Sequence, residues 1–522
     1  MKNRIQAFLW PILLLLLGGC APKVQQAVTA NAPAFDPVEI TIAGAQEALR
    51  TGKCSCEQLV GAYLERIRVY DQPTKLNAIV VANPEALAIA RRLDAEWRRT
   101  GLMRPLHCIP VIVKDNVNTA GLQTAAGSLA LKGYVPDSDA TLVQRLKDAG
   151  AIVLAKSNMA EWAFSPMVSI SSLAGETLNP YNLLYVPAGS SGGTAAAIAA
   201  SLGLVGIGTD TGNSIRGPSS HNALVGFRTT LGLVSRAGVA PLYLRNDVAG
   251  PMTRTVEDAT RMLDVLKGYD PQDTLTRYSR GRLPETYTAY LQKDALKGAR
   301  IGVLRTLSER NPDPQIKALF EQAIADLRRL GAVVVDSVVV PNFDSLSSNQ
   351  WCSVFAQDIN TYLGSLTPAP PVKTVADILA SGKYAPYIKD NLQYHLEHAD
   401  TVAADVCGDA YSDRRRIAFR NAVVQAMDRY SVGALIYPTW NNPPAHVGAF
   451  EEYKGDNSQV IAPHTGQPAF TVPMGFSRDN LPAGLQFLGR PFDEPTLIRL
   501  TYSYEQGTLH RKPPALFPAL RK

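Results

Sequence analysis

Short apolar runs alternate with amphipathic stretches along most of the chain, and their periods separate strands from helices. Residues 41–52 read as a helix that fails near Gly52. Residues 55–70 carry Leu59, Tyr63, Leu64 and Ile67 at helical spacing. A short strand is predicted over 77–81, then a helix over 84–99 with Pro84 at its start. Continuous apolar runs predict buried strands at 109–113, 152–155 and 204–208, with a helix over 139–149. Residues 194–202 are alanine-rich enough for a buried helix. Further strands are predicted at 300–304, 332–340, 434–437, 469–472 and 483–487. Helices are predicted at 314–330 and 494–504, and residues 343–429 read as mainly helical. Alternating helices and buried strands argue for α/β layering, with no internal repeat or coiled coil.

The N-terminal residues follow another pattern. Lys2 and Arg4 precede an apolar run over 7–17, and Leu17-Gly18-Gly19-Cys20 follows. The run is too short for an ordinary membrane span and fits a secretory leader over 1–19. Its ending resembles a bacterial lipobox, which implies that Cys20 is lipidated and becomes the new N-terminus. The absence of aspartate after Cys20 implies a cell-envelope protein on the outer membrane, facing the periplasm. Residues 20–37, polar with Ala and Pro, read as a flexible tether, and 38–522 as one domain.

Composition changes this picture little. The chain is 46% hydrophobic and 19% charged, as in ordinary globular enzymes. Its net charge of +6 drops to +4 without the leader, and no Lys/Arg block is present. That balance argues against a nucleic-acid partner. Beyond Cys20 lie Cys54, Cys56, Cys108, Cys352 and Cys407, an odd count that leaves at least one unpaired. Spacing does not assign pairs, although an exported compartment permits them. Cys54-Ser55-Cys56 matches no metal or redox motif, so these read as structural thiols.

The candidate chemistry lies between residues 110 and 218. Gly189-Ser190-Ser191-Gly192-Gly193 and Thr209-Asp210-Thr211-Gly212-Asn213-Ser214-Ile215-Arg216-Gly217-Pro218 flank the Ala-rich helix and a buried strand. A helix starting at the first loop offers free N–H groups, and glycines let the backbone approach a ligand. Upstream, Lys114 ends the run Pro110-Val111-Ile112-Val113, where burial would depress its pKa.

These three pieces, in this order and spacing, resemble the amidase signature family of serine hydrolases. The resemblance runs from about residue 38 to 513. Gly466-Gln467-Pro468-Ala469 and Leu481-Pro482-Ala483-Gly484-Leu485-Gln486 add to it. It implies a large mixed β-sheet core covered by helices on both faces. It implies hydrolysis of carboxamide C–N bonds through an acyl-serine, on a small-molecule or peptide amide, with no metal and no cofactor. By the resemblance, Ser214 is the nucleophile. Ser190, after a cis peptide, sits between Ser214 and Lys114, and neutral Lys114 is the base. The N–H groups of Thr211, Gly212, Asn213 and Ser214 hold the oxyanion, and Asp210 and Arg216 are scaffolding. Residues 156–164 contribute to the acyl-side pocket, and 343–429 shape the substrate entrance. One departure stands at Asn213, where many members carry glycine. Asparagine tolerates left-handed φ, so the loop keeps its shape while the pocket beside Ser214 narrows.

Rival readings fit less well. Gly-Asn-Ser-Ile-Arg around Ser214 is not a Gly-x-Ser-x-Gly elbow, and His221 reads as a core or loop histidine. His395-Leu396-Glu397-His398 matches no zinc motif and reads as a solvated helix face. An amidotransferase A-type subunit would need tRNA and partner subunits in the cytoplasm, against the export leader. A non-catalytic binding lipoprotein of the same fold would not need Lys114, Ser190 and Ser214 together.

Overall fold

The structure is a computed structural model that describes residues 35–352, 354–398 and 407–520. The leader, Cys20 and most of the expected tether lie outside the described residues.

An 11-stranded mixed sheet runs through the described chain. Its strands are β1 (Ile79–Ala82), β2 (Pro110–Lys114), β3 (Ile152–Ser157), β4 (Val205–Asp210), β5 (Val225–Arg228), β6 (Val248–Thr253), β7 (Arg300–Val303), β8 (Val333–Asp336), β9 (Ala434–Pro438), β10 (Ala469–Phe476) and β11 (Pro482–Leu488). The spatial order is β1-β3-β2-β4-β6-β5-β10-β11-β9-β7-β8. β2 pairs in parallel with β3 and β4, and β7 with β8 and β9. The pairs from β4 to β9 across the centre are antiparallel. Central strands such as β2, β3 and β4 are buried at every residue, as covering on both faces requires. The edges β1 and β8 are short and partly exposed, which limits pairing with other chains.

Local chemistry explains the helix starts. Thr41 caps Ile42–Arg50 through the Gly44 N–H, and Ser55 forms a capping box with Gln58 ahead of Cys56–Arg66. Gly192–Ala199 is apolar all round and buried at every residue, so it packs inside the molecule against β2 and β4. The sequence reading leaves β5, β6 and the helix Val256–Leu266 unassigned. Gly250-Pro251 interrupts the apolar pattern of β6, yet Pro251 lies opposite Ile207 in the ladder. Thr255 caps that helix through the Asp258 N–H.

Cys56 is bonded to Cys108 and Cys352 to Cys407, and Cys54 is the buried free thiol among the described residues. Burial and the nearby Asp94 push the Cys54 thiol up to about 11, which keeps it protonated and unreactive. The helix Cys56–Arg66 also holds both ends of the described chain. Tyr63 Oη donates to the Pro37 carbonyl at 3.2 Å. Arg66 Nη1 and Nη2 donate to the carbonyls of Pro518 and Phe517 at 2.8 and 2.9 Å.

Candidate active site

β2, β4 and the loop before Gly192–Ala199 bring the two glycine-serine loops and Lys114 together. Lys114 is the last residue of β2 and is fully buried. Its Nζ donates to Ser190 Oγ at 2.7 Å and to Thr209 Oγ1 at 2.8 Å. Burial pulls the ammonium down to about 7, against the carboxylates of Asp210 and Asp247, which favour the charge. A second buried lysine, Lys156, meets no serine. Its Nζ donates to the Val117 carbonyl and to Thr124 Oγ1, and burial pulls it down too while pushing its neighbour Asp115 up.

The Gly189–Ser190 peptide is cis, as the resemblance implies. The carbonyl of Ser190 accepts the Ala160 N–H at 3.1 Å, and Ser191 Oγ donates to the Thr209 carbonyl at 3.1 Å. At the helix start the Gly192 N–H is taken by Ser169 Oγ at 2.9 Å, whereas the Gly193 and Thr194 N–H groups donate to no acceptor among the described residues. The second loop holds further free donors. The backbone N–H groups of Thr211, Gly212, Asn213 and Ser214 donate to no acceptor among the described residues.

Asp210 shapes that second loop. Its carboxylate accepts from Arg216 Nε at 3.0 Å, Arg228 Nη1 at 2.7 Å and the Ile215 N–H at 3.2 Å. Burial alone would raise the group, but the two guanidiniums more than offset it and hold the carboxyl well below the usual range. Arg216 Nη2 also donates to the Gly212 carbonyl at 2.6 Å, which turns that peptide's N–H the other way. Asp210→Asn should therefore leave two buried guanidiniums undercompensated and cost on the order of 3–5 kcal/mol. Urea unfolding measures this, and an unchanged midpoint would refute it.

Two parts of the expected arrangement differ. Ser214 Oγ donates to Asn213 Oδ1 at 3.3 Å and forms no hydrogen bond with Ser190. Residue 213 is also outside the left-handed region, so backbone conformation is not what admits asparagine there. Space admits it. A Cβ on Gly217, one turn along, would stand 2.7 Å from Asn213 Nδ2. With that room, Asn213 Nδ2 reaches the Pro166 carbonyl at 3.0 Å and bridges two loops.

Neither His221 nor His395 is bonded to Ser190 or Ser214. His221 is buried against Trp440, held down to about 3 by burial, and bonded to no serine. His395 is half-buried beside the exposed Leu396 and Glu397. Its ring packs on Phe164 and Phe355, and burial pulls it down to about 4. No group of three or more His, Cys, Asp or Glu able to hold a metal occurs among the described residues. A groove of about 1000 Å³ beside the helix Ala86–Thr100 contains none of Lys114, Ser190 and Ser214.

Sequence reasoning missed the roles of Thr209, Asp247 and Gln459. Thr209 is the second partner of Lys114. Asp247 accepts Thr211 Oγ1 at 2.6 Å and the Leu242 and Tyr243 N–H groups at 3.0 Å, so it anchors the free-donor loop from behind. Gln459 Oε1 lies 2.9 Å from where a Gly212 Cβ would stand. Thr209 at least opens the second glycine-serine loop, a signal that could have found it. Asp247 and Gln459 stand in no motif, and nothing local marks them.

Known proteins resemble this chain over most of its length. The family model described as Amidase matches residues 58–498. A probable amidase of Arabidopsis thaliana is 33% identical, covering 96% of this chain and 95% of that protein. The A subunit of glutamyl-tRNA(Gln) amidotransferase from Symbiobacterium thermophilum is 34% identical over 88% of this chain and 95% of its own. The crystal structure of peptide amidase from Stenotrophomonas maltophilia superposes with a TM-score of 0.82 at 37% identity, covering 92% of this chain and 99% of that one.

Proposed function

The chain belongs to the amidase family and is a hydrolase acting on amides, and from that premise we propose an exported, lipid-anchored enzyme that works through an acyl-serine. The observation that carries the catalytic part is the Lys114–Ser190 hydrogen bond of 2.7 Å in a fully buried setting. A lysine pulled down to about 7 is substantially neutral at ordinary pH and has a lone pair for a proton.

In this reading Ser214 Oγ leaves Asn213 Oδ1 by rotation about χ1 and turns to Ser190. Ser190 takes the Ser214 proton while passing its own to Lys114 Nζ. Ser214 Oγ attacks the carbonyl carbon, and the C=O pair moves onto oxygen. The N–H groups of Thr211, Gly212, Asn213 and Ser214 then stabilise that oxyanion, a role preorganised donors fill without reorganising. Lys114 returns its proton through Ser190 to the leaving nitrogen as the C–N bond breaks. Water repeats the sequence on the acyl ester and frees Ser214. These steps call on no metal or cofactor.

The substrate is a small-molecule or peptide amide. The family includes amidotransferase subunits, but a subunit serving tRNA would not carry a leader that directs it out of the cytoplasm. The test is a panel of primary and substituted amides with release of ammonia or amine measured. Failure to hydrolyse any of them, together with failure to react with a fluorophosphonate, would favour a binding lipoprotein of the same fold.

Location follows from the leader. The basic residues, the apolar run and Leu17-Gly18-Gly19-Cys20 support lipidation at Cys20 and an outer-membrane anchor facing the periplasm. Cys20→Ser should lose all incorporation of a fatty-acid analogue and leave the membrane fraction. Equal labelling of the variant would remove the anchor from the proposal.

A further inference from the structure

Trp351 is 49% exposed, and a lone exposed indole would ordinarily need no explanation. Its location sets it apart. Its Cη2 lies 3.3 Å from where a Gly212 Cβ would stand, so the ring edge abuts the loop with the free N–H groups. The ring also has aromatic neighbours. It meets His464 edge-on at 4.8 Å and lies 6.1 Å from Tyr243. The chain is tied on both sides of it. The Gln350 carbonyl accepts Arg416 Nη2 at 2.7 Å, and Cys352 is bonded to Cys407. The Cys407 carbonyl in turn accepts Arg245 Nε at 3.0 Å, and Arg245 pairs with Asp358. An aromatic face held this firmly loses little freedom when a ligand stacks on it.

We infer that Trp351 is a specificity-determining residue that stacks a planar aromatic group on the acyl side of the amide substrate. The inference rests on the acyl-serine reading. In that reading the leaving nitrogen must face Ser190 and Lys114, which lie at the Thr209 end of the loop. The acyl group, on the other side of the carbonyl carbon, then runs away from Lys114, and Trp351 borders the loop at Gly212. The Cys352–Cys407 bond keeps the platform in place, and Asp247 and Tyr243 connect its support to the loop.

The test uses the full chain as wild type, Trp351→Ala and Trp351→Phe, with 3-phenylpropanamide and butanamide as paired substrates. Removing a stacking partner should cut the ratio of kcat/KM for 3-phenylpropanamide over butanamide about tenfold, carried in KM. Trp351→Phe should restore most of that ratio. If neither amide is turned over, protection of Ser214 from a fluorophosphonate by each amide supplies the same ratio. A ratio unchanged in Trp351→Ala, while Ser214 is still labelled, overturns the inference and leaves the acyl-serine reading intact. Wild type that shows no preference for 3-phenylpropanamide also overturns it. Absence of label on wild-type Ser214 sinks the acyl-serine reading itself.

Discussion

Ser214→Ala should yield no acylated protein, and its turnover should fall by on the order of 10⁵–10⁶-fold, as loss of a serine nucleophile does elsewhere. Ser190→Ala should behave differently. It removes a proton relay and keeps the attacking oxygen, so the expected loss is about 10²–10⁴-fold and slow acylation persists. The two serines occupy different surroundings, which is why they should separate. Ser190 Oγ is already committed to Lys114, whereas Ser214 Oγ is held only by Asn213 Oδ1 at 3.3 Å, a long contact that is cheap to break. Adding Lys114→Ala to Ser190→Ala should cost little more than either change alone, because both cut the same relay. Intact mass and peptide mapping after fluorophosphonate treatment decide the matter. An adduct on Ser190 or Ser191, or full labelling of Ser214→Ala, would reverse the assignment.

For Lys114, kcat/KM should rise with pH through a limb near 7 and level off above it, since only the neutral amine accepts a proton. Lys114→Met should abolish that limb along with nearly all activity, yet make the protein more stable. The sign follows from linkage. The folded state holds Lys114 at about 7, and the unfolded chain returns it to about 10.4. Below about 7 both states are protonated, and the fold bears the full cost of a buried ammonium. Between about 7 and about 10.4 the unfolded chain binds the extra proton, so stability attributable to this group rises with pH. At about pH 6 the cost is on the order of 4 kcal/mol. Methionine removes it but strips a partner from Ser190 and Thr209, at about 1 kcal/mol each. Thermal unfolding should therefore show a Tm gain of a few degrees at about pH 6 that shrinks by about pH 9. A lower Tm at both values, or a pH limb that survives in an active Lys114→Met, would contradict this account.

The features legible in the sequence are those that act locally. Val111-Ile112-Val113 marks β2 because a strand covered on both faces can be apolar at every position, and that alone places Lys114 at a dry strand end. The alanines of Gly192–Ala199 mark a helix that must be buried. β6 is hidden because Gly250-Pro251 has the look of a turn, while its place in the sheet depends on its ladder with β4. The contacts of Thr209, Asp247 and Trp351 are hidden for a related reason. Thr209 meets a lysine 95 residues away, and Trp351 meets a glycine in a loop far behind it. No periodicity reports contacts of that range. Asn213 stands out in the sequence, but its explanation does not. The room it needs comes from Gly217, and which residue yields space is a property of the packed loop.

The helix Cys56–Arg66 carries Tyr63 and Arg66 one turn apart, and these grip Pro37 and Pro518. Pro37 and Pro518, 481 positions apart in sequence, are therefore neighbours on one helical turn. For an engineer, a short peptide could join the chain at these two points, and a cut could be opened in an exposed loop elsewhere. A reporter joined at Pro518 would stand beside Pro37, so it would share whatever surroundings are found there.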